Sequence, residues 1–364
     1  MKKIVFTVTN DLAYDQRMQR ICDTLSKNGY SVTLIGRRLP SSIQTEKELY
    51  HQIRIYCWFK KGKLFYIEYN IRLFFFLLFK KLDVVCAVDL DTILPCLFVS
   101  KLRGKRRIYD AHELFSELKE VVTRQTIKRI WTRIEKFSVP KFKYGYTVSD
   151  GIAEEFRHRY GVEYKTIRNI PLLEKNPSSP MEKENFILYQ GAVNEARGFE
   201  YLIPAMQWIN CKLAVCGDGN FMSQLRELVE EYKIESKIEL HGMLPPAELK
   251  KISLQATIGL ALSENVGLNQ YYALPNKFFD YIHAELPQVT MSFPEYIKIN
   301  NQFEVAVLLD NLSPRRIAEA VNNLLTDDVL YMRLKANCSK AREVLNWQNE
   351  EKKLLSFYQS FLSP

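Results

Sequence analysis

Several features that would mark this chain as secreted, metal-bound or membrane-spanning are missing. Its 364 residues include seven cysteines, none in a C-x-x-C pair. Neither a structural zinc site nor a disulfide framework is indicated, and an intracellular compartment is the plain expectation. The five histidines form no cluster with metal-ligand spacing. The most apolar run, Leu73–Phe79, lies between Arg72 and Lys80 and falls far short of the roughly 20 residues a bilayer demands. It is expected to be a buried helix turn, with membrane contact as the alternative. The opening "MKKIVFTVTND" has a basic start, but Asn10 and Asp11 end its apolar stretch, so it is not expected to act as a signal peptide. Neither G-x-G-x-x-G nor G-K-[ST] occurs in a suitable context, which leaves a dinucleotide fingerprint and a Walker loop unsupported. No short-period repeat or low-complexity segment appears.

What is present suits a globular protein with room for two cores: 47% of residues are hydrophobic and 26% charged. Lysine and arginine outnumber aspartate and glutamate 51 to 42, for a net charge of +9. The excess is local, because Lys101–Lys143 holds 13 basic and 5 acidic residues. Such a field favours an anionic partner: nucleic acid, an anionic membrane or a phosphorylated substrate.

The first half alternates short apolar runs with helical patterns. Lys3–Thr9, Tyr30–Ile35, Ile53–Trp58, Val84–Val88, Arg107–Tyr109 and Tyr144–Val148 read as strands. Arg17–Asn28 reads as a helix with Met18, Ile21, Cys22 and Leu25 on one stripe. Thr123–Phe137 is another, placing Ile127, Ile130, Trp131, Ile134 and Phe137 on one face. After Pro171 and "NPSSP" at Asn176–Pro180 the alternation restarts. The strands there are Phe186–Gln190, Lys212–Cys216, Lys237–His241, Ile258–Leu262, Gln288–Met291 and Val305–Leu309. A final helical piece, Tyr331–Phe361, is long enough to leave one domain and lie against the other. Strands separated by helices predict mostly parallel sheets covered on both sides. The expected fold class is therefore α/β, with two doubly wound domains whose ligand sites lie at the carboxyl ends of the strands. The domain boundaries are set at residues 1–170, 171–345 and, for the C-terminal helix, 346–364.

Three loops of the second domain follow strands or open helices. "GAVNEARG" carries Gly191 and Arg197. "CGDGN" carries Gly217, Asp218 and Gly219. "ALPNKFFDY" has Asn276 as a plausible cap, Lys277 in the first helical turn and Asp280 one turn on. Glycines let backbone approach a ligand, and amides at a helix start attract anions. Arg197 or Lys277 would complete a diphosphate site, and Asp280 would accept hydrogen bonds from ribose hydroxyls. Turn-forming glycines and solvated charges are the ordinary alternatives. In the first domain "YDAHELFSE" places His112 at a strand end between Asp110 and Glu113, as a catalytic or a structural histidine. "TNDLAYDQRM" offers Asn10, Asp15 and Arg17 for an acceptor hydroxyl or phosphate, with simple helix capping by Asp15 as the rival reading. Asp150 follows the last strand of the domain and is placed on the acceptor side.

Taken in order, "YQGAVNEARG", "CGDG", "IELHGML" and "LPNKFFDYIHAELPQV" resemble the retaining glycosyltransferases of family 4, in a divergent branch whose first loop ends in Arg-Gly. The resemblance runs over almost the whole chain. It implies the GT-B fold, two Rossmann-like domains facing across a cleft. The family usually carries an arginine directly after the first-loop glycine and a lysine five positions beyond; these fall on Ala192 and Arg197. The family's paired glutamates, separated by seven residues, fall on Tyr272 and Asp280. Glu264 lies nearer the preceding strand end and offers a related role, and Glu285 stands where the family generally has glycine. Arg197 then looks like a donor diphosphate ligand, Asp280 like the ribose ligand, and His112 like the family histidine beside the sugar ring.

The resemblance further implies transfer of a hexose from a nucleotide diphosphate, as a UDP-sugar or GDP-sugar, to a hydroxyl. No other cofactor and no metal are implied. The basic stretch and the aromatic-rich Phe59–Phe79 suit a glycan or polyprenyl-diphosphate-linked acceptor in surface polysaccharide or lipopolysaccharide synthesis. The protein would then be cytoplasmic, with peripheral contact at the inner face of the membrane. Nucleic-acid binding fits less well, because the basic run lacks a reading motif. A sugar-nucleotide epimerase of the same fold and a non-catalytic relative are the alternatives.

Overall fold

The computed structural model describes residues 1–12, 15–40, 42, 49–174 and 184–362. The stretch Asn176–Pro180, expected as an interdomain border, lies outside them. The chain divides into two compact units, Met1–Asn169 with Glu350 onward, and Ile170–Asn349.

The first unit runs β1 (Lys3–Thr7), α1 (Gln16–Lys27), β2 (Ser31–Arg37), β3 (His51–Ile55), α2 (Gly62–Phe79) and β4 (Val84–Val88). It continues through α3 (Ile93–Leu102), β5 (Arg106–Ala111), α4 (Lys119–Val122), α5 (Gln125–Ser138), β6 (Gly145–Thr147), α6 (Asp150–Tyr160) and β7 (Lys165–Thr166). Its seven strands are ordered β3-β2-β1-β4-β5-β6-β7, all parallel. The central strand β4, Val-Val-Cys-Ala-Val, is buried at every position, as expected of a parallel strand covered on both faces.

The second unit repeats the pattern with β8 (Phe186–Gln190), α7 (Phe199–Ala205), β9 (Lys212–Cys216), α8 (Met222–Glu231), β10 (Ile238–Gly242), α9 (Pro246–Gln255) and β11 (Ile258–Ala261). Then come α10 (Leu268–Tyr272), α11 (Asn276–His283), β12 (Gln288–Met291), α12 (Pro294–Phe303), β13 (Ala306–Leu309), α13 (Pro314–Thr326) and α14 (Asp328–Val344). Its six parallel strands are ordered β10-β9-β8-β11-β12-β13. In both sheets the order reverses direction at one place, β1 beside β4 and β8 beside β11. A doubly wound sheet opens a crevice there, because neighbouring crossovers leave toward opposite faces.

Three expectations need correction. The helical piece Tyr331–Phe361 is two helices, α14 and α15 (Trp347–Leu362). The Asn346 carboxamide accepts the Asn349 amide at 3.0 Å and the Trp347 amide donates to the Pro171 carbonyl at 2.9 Å, so the backbone turns at this point. On α15, Tyr358 packs into the first unit against Phe6, Tyr30 and Tyr146. The face read on α5 is rotated: Ile130 and Phe137 are exposed, whereas Glu135 and Ser138 are buried. Trp131 sets this rotation by meeting Phe115 at 4.8 Å and Tyr66 at 5.5 Å edge-on. Finally, Leu73–Phe79 is not a uniformly buried turn, since Leu73 and Leu77 are buried but Phe75 and Phe79 are exposed.

Candidate functional site

In the second unit the loop after β8 and the loop after β9 are laced together. The Gly191 amide donates to the Cys216 carbonyl at 2.9 Å, the Val193 amide to Asp218 at 3.0 Å and the Phe221 amide to Val193 at 3.0 Å. Asn194 Oδ1 accepts the Asn220 amide at 3.1 Å, and Asn220 Oδ1 accepts the Glu195 amide at 3.2 Å. The lacing brings backbone so close that a Cβ on Gly217, at φ +155°, would lie 1.8 Å from the Gly191 carbonyl oxygen. Gly217 is thus required by loop-to-loop contact. Asp218 and Gly219 are exposed at the rim, where the carboxylate accepts the Gly219 amide at 2.7 Å.

Lys277 comes up beneath this loop from the first turn of α11. It is 8% exposed, and its ammonium has no hydrogen-bond partner. The Nζ atom sits 3.5 Å from the centre of the Tyr189 ring, a favourable cation–π position. Burial pushes its pKa well below the ordinary lysine value, the nearby Arg197 pushes it further, and Asp280 pulls back. A Cβ on Gly191, at φ +114°, would come within 3.6 Å of Lys277 Cε and 3.8 Å of Nζ. Those distances are ordinary contact, and it is the positive φ that favours glycine at this position. Arg197 is partly buried and makes no ion pair with any described residue. Its loop is pinned from β11, because the Glu264 amide donates to the Ala196 carbonyl at 3.1 Å. Lys277, Arg197, Gly191 and Glu264 therefore belong to one region at the carboxyl end of the central strands β8 and β11.

Asp280, one turn along α11, accepts Gln190 Nε2 at 2.7 Å, and Gln190 Oε1 accepts the Ser253 hydroxyl at 2.9 Å. Gln190 and Ser253 were not singled out from sequence. Asn276 is exposed at the start of α11, but Pro275 occupies the cap position and no side-chain capping bond forms. Tyr272 closes α10 edge-on against Tyr271. Glu285 takes the left-handed turn after α11, at φ +51°, where its carboxylate pairs with Arg342 at 3.2 Å.

In the first unit the loops after β4 and β5 build a second site around His112. Its Nε2 lies 3.1 Å from Asp110 and its Nδ1 3.7 Å from Asp89, while its amide donates to Asp89 Oδ1 at 2.8 Å. Asp110 is fully buried and also takes Arg17 at 2.9 Å. Burial alone would lower the His112 pKa, but Asp110 and then Asp89 overcome it and raise it to about 9. Burial raises Asp89, with His112 opposing, whereas Asp110 stays below the usual range: Arg17 and His112 together outweigh its desolvation. Asp89 holds φ +56°, an uncommon conformation for a residue with a side chain. It was passed over in the sequence, as was Asp91, whose carboxylate accepts the Thr9 hydroxyl. The signal available was the pair of aspartates in "VDLD" at the carboxyl end of β4.

The acceptor-side expectation for Arg17 is corrected by this network. The residue is 3% exposed, with its guanidinium spent on Asp110 and on the Ile167 carbonyl at 2.9 Å. Asp15 caps α1 by accepting the Met18 amide at 3.0 Å, and its other oxygen takes Asn10 Nδ2 at 2.9 Å. Asp150, in the first turn of α6, meets Arg168 at 3.3 Å. Among the described residues no set of three or more His, Cys, Asp or Glu side chains is arranged to hold a metal ion.

Comparison with known proteins agrees with this architecture. Residues 16–172 match the family model described as Glycosyltransferase Family 4, and residues 173–341 that described as Glycosyl transferases group 1. An uncharacterized glycosyltransferase of Methanocaldococcus jannaschii is 26% identical over 184 residues, 49% of this chain; the match spans 45% of that relative, less than half its length. Among solved structures, a sucrose-phosphate synthase from Thermosynechococcus elongatus superposes with a TM-score of 0.80 at 14% identity, over 99% of both chains. The Anabaena protein HepE, solved with UDP and glucose, gives 0.76 at 12% identity, over 99% of this chain and 100% of that one. These likenesses show the GT-B fold. With both family models matched in sequence along the two units, the chain belongs to the group 1, family 4 glycosyltransferases.

Proposed function

We propose that this protein moves a sugar from a nucleotide-diphosphate donor to a hydroxyl of a glycan or lipid-linked glycan, with retention of configuration. The observation that carries this reading is Lys277. A buried amine without a partner is costly, and Arg197 adds a second cation to the same region. A diphosphate seated over Gly191 satisfies both cations at once. The likeness to a protein solved with UDP and glucose makes a UDP-sugar the first donor to try, ahead of a GDP-sugar. Asp280, steadied by Gln190, is assigned to the ribose hydroxyls, and Glu264 to a hydroxyl of the donor sugar.

In the reaction the bond from the anomeric carbon to the phosphate oxygen breaks. The acceptor oxygen bonds to that carbon on the same face, and the acceptor proton passes to the departing phosphate. Lys277 and Arg197 lower the barrier by stabilising charge on the leaving group. His112 has a carboxylate facing each ring nitrogen, so its role is to orient and stabilise as an imidazolium rather than to accept a proton.

Calorimetry with UDP-glucose, UDP-N-acetylglucosamine and GDP-mannose, on wild type and Arg197→Ala, tests the assignment. One nucleotide series is expected to bind, and the substitution to weaken it about tenfold, the value of one charge-assisted contact. No binding by any donor, or equal affinity for the two proteins, overturns it. An inverted anomeric centre in the product would remove retention alone.

A further inference from the structure

The last two residues of β8 each serve a polar side chain of α11. The Tyr189 ring centre lies 3.5 Å from Lys277 Nζ, and Gln190 Nε2 donates to Asp280 at 2.7 Å. Gln190 is 4% exposed, and β8 runs between β9 and β11 in the middle of the sheet. Leu188, on the same face of the strand, joins an apolar cluster with Ala214 and Cys216 of the paired strand β9. A carboxamide buried there is costly unless both of its ends are satisfied. An apolar side chain would carry no such demand, so the need for an amide lies in what it holds.

Both ends are satisfied. Gln190 Oε1 accepts the Ser253 hydroxyl of α9 at 2.9 Å, while the same hydroxyl oxygen lies 2.9 Å from the Leu249 carbonyl and has one proton to give. A carboxylate only accepts, so Asp280 draws the NH2 end of Gln190 toward α11 and leaves its carbonyl end facing α9. The Ser253 proton then goes to Gln190. Side chains from α9, β8 and α11 thus form one chain of bonds with a single direction, ending on Asp280 Oδ2. We infer that Gln190, backed by Ser253, is a positioning residue of the nucleotide site. It fixes the Asp280 carboxylate in the orientation that takes the vicinal hydroxyls of a ribose, so that ribonucleotide donors are preferred to 2′-deoxyribonucleotides. The inference rests on the assignment of Asp280 to the ribose. A carboxylate left to turn loses rotamer freedom on binding the sugar, whereas one already held does not. Removing a hydroxyl from the sugar then leaves a fixed charged acceptor short of one hydrogen bond.

Calorimetry with UDP and GDP, each beside its 2′-deoxy counterpart, tests this. The wild type is expected to bind the ribonucleotide of one pair about 10- to 100-fold more tightly than its 2′-deoxy form, the value of one hydrogen bond to a charged group. Gln190→Leu should weaken the ribonucleotide about fivefold, the cost of immobilising one side chain on binding, and leave the 2′-deoxy nucleotide within about twofold. Ser253→Ala should move the same ratio in the same direction by less, which keeps the inference testable if Gln190→Leu does not fold. In an Asp280→Ala background, Gln190→Leu should change neither affinity further, because its action passes through that carboxylate. No change on Gln190→Leu, equal weakening of both nucleotides, or an effect that persists without Asp280 overturns the inference and leaves the donor reading in place. Wild type that binds a ribonucleotide and its 2′-deoxy form alike overturns it too, and removes Asp280 from the ribose. Failure of both ribonucleotides to bind ends it together with the donor reading.

Discussion

In the second unit Lys277 is buried with no hydrogen-bond partner, and the nearest named cation, Arg197, makes its position worse. In the first unit Arg17 is also buried and His112 partly so, yet both rest on Asp110, and Asp89 faces the remaining side of the imidazole. Both sites stand beside the place where strand order reverses, and they dispose of positive charge in opposite ways. A charge network closed by its own carboxylates fixes a side chain in one orientation. An open pair of cations instead stores unfavourable free energy that an anionic ligand relieves on binding. On the proposed function, the contrast puts grip at one site and placement at the other.

The largest expected effect comes from the closed network. His112→Ala should lower turnover by on the order of 100- to 1,000-fold, the usual consequence of losing one preorganised electrostatic group, while donor affinity stays within about twofold. Steady-state rates beside calorimetry check this, and equal loss in both would mean that His112 grips the donor too. Lys277→Met should show the reverse pattern. Donor affinity should fall by about 10- to 100-fold, yet the ligand-free protein should melt at a higher temperature, because a buried amine has been replaced by an apolar chain of similar length. Thermal shift with and without UDP reads both quantities. A lower melting temperature together with an unchanged UDP shift would break the comparison.

Much of the architecture was legible because parallel strands buried on both faces must be short apolar runs. Val84–Val88, Phe186–Gln190, Lys212–Cys216 and Gln288–Met291 were bounded in sequence as they stand in the structure. Two-residue β7 carries too little pattern to be seen. Of the sites, the charged residues at strand ends could be read, but their partners could not. Arg17 looked available for an acceptor since nothing local shows that Asp110, 93 positions away, already holds it. Gln190 reads as the polar end of a strand, and its bridge from Ser253 to Asp280 exists only after folding. The exposed stripe of α2 was hidden for a related reason. From Leu73 to Phe79 every residue is apolar, so that stretch has no periodicity to announce which side faces the sheet.

The smallest effect concerns Asp89 and sharpens the placement side of the comparison. Asparagine tolerates the left-handed backbone found here, and its side-chain oxygen can still accept the His112 amide, so Asp89→Asn removes charge with little change of shape. Because burial raises the Asp89 carboxyl while His112 is raised by its two carboxylates, the wild-type groups titrate as a pair. The His112 pKa lies above the ordinary 6.5 in the folded protein. Its stabilising contribution is therefore fully present below that value and is lost as pH rises through about 9. Losing Asp89 leaves Asp110 alone to support the imidazolium, so the alkaline step should move down by about one pH unit. The histidine Cε1 proton resonance and the melting temperature, followed from pH 6 to 10, should shift together. If the step stays where it is, Asp89 plays no part in holding the charge, and the network closes on Asp110 and Arg17 alone.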